Sequence, residues 1–97
     1  MKLKEKEERI IRSLRAGNAL EREAFRRLLE RFAEDDEMYA TCHAGLIRAI
    51  YLNPTDNYIW QLAVNHYSSE STIYRYRKEY LAWFHYYADK LAKTTKS

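Results

Sequence analysis

The chain has few breakers: two glycines and one proline in 97 residues. Glycine and proline punctuate turns, so their scarcity predicts long uninterrupted elements. Strand-like alternation of apolar and polar residues is also absent, which points to an all-helical chain. No Gly-rich phosphate loop is present, and two glycines nearly exclude one. With a single cysteine, Cys42, no intramolecular disulfide can form. Cys42 reads as a small core residue on the apolar face of a helix. No apolar run reaches the roughly 18 residues of a membrane-spanning helix. The N-terminus lacks the apolar centre of a signal peptide, so a soluble, cytoplasmic chain is expected.

What the sequence does hold is apolar periodicity and charge. Its length suits one domain with a modest core. The net charge is only +3 but is segregated. Residues 1–34 carry ten Lys/Arg against seven Asp/Glu, residues 35–70 one against five, and residues 71–97 six against two. Basic ends flanking an acidic middle suit a nucleic-acid binder with a separate protein contact, although so small a total is weak evidence.

Four or five helices are expected. Residues 2–16 alternate in charge sign, with Leu3, Ile10, Ile11 and Leu14 as a narrow apolar stripe that needs a neighbour, such as a second copy of the chain. Gly17 suits a C-terminal cap, and Asn18 with Glu21 resembles a capping box for the next helix. That helix, from Ala19 to about Glu34, turns Leu20, Ala24, Leu28 and Phe32 one way, flanked by Phe25 and Leu29. Arg26, Arg27 and Arg31 face outward, more as ion-paired solvated charges than as DNA-backbone contacts. Asp35-Asp36 is expected to cap a third helix, from about Glu37 to Leu52, with Tyr39, Cys42, Leu46 and Ile50 in its core stripe. Asn53-Pro54 breaks it, and Thr55 or Asp56 starts the next. In that helix Trp60 and Val64 lie on a different side from Ile59, Leu62 and Ala63, predicting burial on two sides.

The stretch from Ile59 to Lys78 reads as two helices around a tight turn. Small Ala63 lets a second helix cross closely, Ile73 follows at docking distance, and the serines at 68, 69 and 71 offer N-caps for a helix starting near Ser69. Glu70 places negative charge where the helix dipole favours it. In the last helix, predicted from about Glu70 to Lys93, Ile73, Tyr76, Tyr80, Phe84, Tyr87 and Leu91 share the packing side. Ser71, Tyr74, Arg75 and Lys78 lie opposite, a set able to reach phosphates and base edges together in a major groove. Serine caps with a basic outer face also occur on helices that never meet DNA, so periodicity alone leaves both readings open.

The run Ser68 to Leu91, SSESTIYRYRKEYLAWFHYYADKL, resembles the C-terminal helix-turn-helix of phage and prophage transcriptional regulators of the ArpU and RinA type, itself similar to region 4 of bacterial sigma factors. The resemblance covers about a quarter of the chain. It implies a sequence-specific DNA-binding regulator acting on double-stranded DNA, with RNA polymerase as a further candidate partner. A homodimer is the expectation from the aromatic last helix, and no membrane partner is expected for want of a long apolar run. The full DNA-contacting set expected is Ser69, Ser71, Thr72, Tyr74, Arg75, Arg77 and Lys78. Two positions depart from the pattern: Tyr67 stands where a turn glycine is usual, and Ser68 where an apolar residue is usual.

The expected architecture is an all-α domain over residues 1–97, with N-terminal helices in 1–52 for packing or dimerisation and a helix-turn-helix with a long last helix in 55–94. The aromatic second half of that helix either packs back on the N-terminal helices or pairs with its twin. Neither a cofactor nor a metal is expected. Adjacent Cys42 and His43 diverge by about 100° on a helix, and no second pair follows at ligand spacing. The histidines at 43, 66 and 85 fall on separate predicted helices without a nucleophile or carboxylate at a useful spacing, so a non-enzyme is expected. Two competing readings remain, a small phage DNA-packaging subunit of the terminase type and a helical adaptor or anti-repressor without DNA binding.

Overall fold

A computed structural model describes residues 3–39, 42–52 and 59–95. Among these the chain forms five helices and no strand: α1 (Leu3–Arg15), α2 (Ala19–Tyr39), α3 (His43–Tyr51), α4 (Ile59–Asn65) and α5 (Glu70–Thr95). The Asn53-Pro54 break and the expected start at Thr55 or Asp56 lie outside the described residues, as do the side chains of Leu3, Tyr39, Ile59 and Trp60.

The core forms where α2 and α5 pack lengthwise, with α3 against α2, α4 against α5, and α1 touching α2, α3 and α5. The expected stripes supply most of it, joined by Leu81, Ile47 and Tyr51, which lie beside them. Ala24, Phe25, Leu28 and Phe32 of α2 meet Ile73, Tyr80, Leu81 and Phe84 of α5, and Leu46, Ile47, Ile50 and Tyr51 of α3 close one side. Each fully buried large apolar side chain contributes about 1.5–3 kcal/mol relative to exposure. Ile10, Ile11 and Leu14 are buried in this same core, so the stripe of α1 is covered within one chain.

Two helix junctions use the same closure. After α1, Asn18 N–H donates to Ser13 C=O at 3.3 Å and Gly17 N–H to Leu14 C=O at 3.2 Å, with Gly17 at φ +80. This is the Schellman arrangement, which glycine enters without a Cβ clash. Asn18 then caps α2, its Oδ1 accepting from Glu21 N–H at 3.0 Å. The reciprocal half of a capping box is not required, because Asn18 N–H is already committed to Ser13.

The boundary between α2 and α3 differs from expectation. Asp35 and Asp36 lie inside α2, which continues to Tyr39. Asp36 still caps α3, but across space: its Oδ1 accepts from His43 N–H at 2.7 Å and its Oδ2 from Ala44 N–H at 3.0 Å. Cys42, the residue preceding α3, makes no side-chain cap bond and is exposed, not a core residue. It leaves the apolar stripe because the helix begins after it. Val64 is also exposed, so α4 is not buried on that side.

Candidate nucleic-acid interface

The turn between α4 and α5 repeats the Schellman closure seen after α1. Ser68 N–H donates to Ala63 C=O at 2.9 Å and Tyr67 N–H to Val64 C=O at 3.3 Å. Tyr67 takes the glycine place, at φ +53, with 98% of its surface exposed. A bulky side chain in this left-handed conformation costs about 1–2 kcal/mol, and packing does not repay it. Ala63 and Ile73 are buried, as a close crossing of the two helices requires.

Ser69 caps α5. Its Oγ accepts from Thr72 N–H at 3.2 Å, and its C=O accepts from Ile73 N–H at 3.1 Å. The Ser69 hydroxyl also lies 2.8 Å from Thr72 Oγ1 and 3.1 Å from Ser71 Oγ. Three hydroxyls therefore cluster at the leading end of the helix, with Ser69 held by its capping role and Thr72 half-buried. Glu70 sits in the first turn.

Along the outer face, Ser71, Tyr74, Arg75 and Lys78 are all exposed. The Arg75 guanidinium lies 5.4 Å from the Tyr76 ring centroid. These four side chains share one side because they follow the three- and four-residue steps of the helix.

Arg77 does not belong with them. It is only 9% exposed, and Glu7 of α1 is only 3% exposed. Arg77 Nε donates to Glu7 Oε2 at 2.8 Å, and its Nη2 pairs with Glu7 Oε1. Burial pushes the guanidinium pKa down, but the bonded carboxylate outweighs this and leaves it above its ordinary value. Arg77 is consequently a buried structural charge rather than a groove contact. The sequence carried the signal: Glu7 falls in step with Ile10, Ile11 and Leu14, and Arg77 with Ile73, Tyr80, Leu81 and Phe84. A charge on each of two apolar stripes calls for a partner.

Without Arg77 the charge of the site is different. Among residues 69–79, the exposed charges are Arg75 and Lys78 against Glu70 and Glu79. The leading end of α5 is thus locally balanced, and any affinity for an anion depends on how the two cations are aimed.

Elsewhere the charges are internally matched. Arg26 bonds Glu23 and Glu30, and Arg27 Nε lies 3.4 Å from Glu23. The Arg26 guanidinium holds the Glu23 carboxyl down at about 2. Arg31 covers the Trp83 ring at 4.2 Å.

The histidines are dispersed. His43 is buried at the start of α3, its Nδ1 lying 2.5 Å from the Tyr80 hydroxyl and its ring packed on Phe32 and Tyr76. Burial raises the Tyr80 pKa above its ordinary range. His66 lies in the turn after α4 rather than on a helix, and burial lowers its pKa. His85 is on α5. Among the described residues, no three His, Cys, Asp or Glu side chains are grouped to hold a metal, and no helix is long and apolar enough to cross a membrane.

Compared with known proteins, the chain matches no family, no curated protein and no solved structure.

Proposed function

We propose that the chain is a sequence-specific double-stranded DNA-binding protein of the transcription-regulator kind, reading the major groove with the leading end of α5. The observation that carries this reading is the exposed set Ser71, Tyr74, Arg75 and Lys78 on one face, immediately after a tight turn from a short supporting helix. Arginine can contact guanine bidentately, lysine and serine can reach phosphates, and a tyrosine hydroxyl can bond either. The supporting helices hold this end in place through Ala63, Ile73 and the buried Glu7–Arg77 pair.

With Arg75 turned to a base edge, one α5 end neutralises about one phosphate, through Lys78. The logarithm of the affinity then falls with that of salt at a slope of about −0.9 for each α5 end, or about three- to fourfold between roughly 50 and 200 mM. Selection of bound sequences from random DNA, followed by titration of the selected site, tests the proposal. Arg75→Ala should cost about 1–3 kcal/mol on the selected site and flatten preference at one base position, whereas Lys78→Ala should weaken selected and random DNA alike. Equal loss on both DNAs for Arg75→Ala removes it as a base reader, and absence of any binding at low salt removes the proposal.

A further inference from the structure

We infer that α5 pairs antiparallel with α5 of a second copy of this chain, through Glu79, Trp83, Tyr86 and Lys90. These residues are spaced four, three and four apart, so they form one continuous stripe along the helix. Glu79 and Lys90 are exposed, Tyr86 is 50% exposed, and Trp83 is half-buried beneath Arg31 of α2. Trp83 and Tyr86 meet edge to face, their ring centroids 5.5 Å apart, and the Lys90 ammonium lies 5.8 Å from the Tyr86 centroid.

The stripe is self-complementary in one direction only. About a two-fold axis midway between Trp83 and Tyr86, an antiparallel copy places Glu79 opposite Lys90 and Trp83 opposite Tyr86, and the reciprocal contacts repeat them. This is the pattern an isologous interface requires. Two aromatic pairs then occupy the centre, with an ion pair at each end. Within one chain Glu79 and Lys90 are eleven residues apart, about 16 Å along the helix, too far to bond each other. A parallel copy would set each charge against its like, which disfavours it.

The pairing stands on this pattern alone, while its consequence for DNA rests on the function proposed above. At 100° per residue, the stripe and the outer face bearing Ser71, Tyr74, Arg75 and Lys78 lie about a quarter-turn apart. A two-fold axis perpendicular to antiparallel helices preserves that sideways direction, so both faces point to the same side of the dimer. Their centres lie about 15 Å from the axis each, hence about 30 Å apart along the helices. One turn of B-DNA separates successive major-groove half-sites by about 34 Å. The expected target is therefore a dyad-symmetric site with half-sites about one turn apart.

Sedimentation of the full chain without DNA tests the pairing. Wild type should reach twice the 11.7 kDa chain mass as concentration rises. Glu79→Lys and Lys90→Glu should each halve the mass, because each opposes like charges at both ends. The double variant, Glu79→Lys with Lys90→Glu, should return to the dimer. So should an equimolar mixture of the two single variants, in which every reversed charge meets an opposite one. Circular dichroism of each variant establishes that its helices are native. A monomeric wild type, a dimer indifferent to both reversals, or a mixture that stays monomeric overturns the inference. A dimer that binds no DNA would leave the pairing standing and remove only the functional proposal, and a DNA-binding monomer would do the reverse.

Discussion

Cutting the Glu7–Arg77 pair should destabilise the chain more than any surface change. Replacing Arg77 with alanine strands a carboxylate whose side chain is 4% exposed, and replacing Glu7 strands a guanidinium that is 10% exposed. Removing one partner of a buried pair typically costs about 3–5 kcal/mol, because the remaining charge keeps its desolvation penalty without compensation. A domain of this size has a total stability of about 5–15 kcal/mol, so Arg77→Ala should consume a large fraction of it. With a urea m-value of about 2 kcal/mol/M, the unfolding midpoint should fall by about 2 M. Urea titration followed by circular dichroism reads this directly. Glu7→Leu combined with Arg77→Met should lie much nearer wild type, since apolar replacement of a whole buried pair is often neutral or stabilising. If Arg77→Ala costs less than about 0.5 kcal/mol, the value of an ordinary surface site, the burial of this pair is refuted and Arg77 returns to the groove-contacting set.

Other consequences are smaller and equally direct. Tyr67→Gly should stabilise by about 0.5–1 kcal/mol, the left-handed strain relieved less the added chain entropy of glycine, whereas Gly17→Ala at the matching turn should destabilise by a similar amount. An alanine Cβ at position 17 would meet only the Arg22 side chain, at 3.6 Å, so that cost comes from the backbone angle. Paired thermal melts should show the opposite signs, and equal signs would refute the shared turn geometry. Asp36→Ala should cost about 1 kcal/mol by removing the cap on α3, and Asp36→Asn should recover only part of it, because the amide nitrogen cannot accept from the second N–H. Indistinguishable melting of wild type and Asp36→Ala would rule out the cap. His66 titrates below its ordinary value of 6.5 because burial disfavours its charged form. The unfolded chain therefore binds the proton more readily, and this contribution to stability, complete above that pH, declines as pH falls below it. His66→Gln should remove that part of the pH dependence, and an unchanged profile would contradict the assignment.

The helices themselves were largely legible because their signals are local. The stripes of α2 and α5, the glycine closing α1 and the serine preceding α5 all lie within a few residues of what they determine. The differences arise where partners are distant in sequence. Asp36 reads as a helix start because capping is ordinarily judged over three residues, yet it reaches forward seven and eight. Arg77 reads as one of several outward cations because Glu7 lies 70 residues away. Cys42 follows the extrapolated period of a helix that in fact starts after it. The exposed face of Ser71, Tyr74, Arg75 and Lys78 follows from angular spacing, whereas the full exposure of Tyr67 depends on the turn. Its place in a position favouring glycine was the available clue.

The 70-residue separation of Glu7 and Arg77 also bears on how the chain is made. During synthesis, α1 emerges carrying an acid destined for the interior, and its match is added only 70 residues later. Until then that acid favours water, and α1 gains little by settling against α2 and α3. Closing so long a loop late makes the N-terminal segment the last to dock, so ribosome-bound nascent chains ending before residue 77 should leave α1 open to protease while α2 and α3 are already forming.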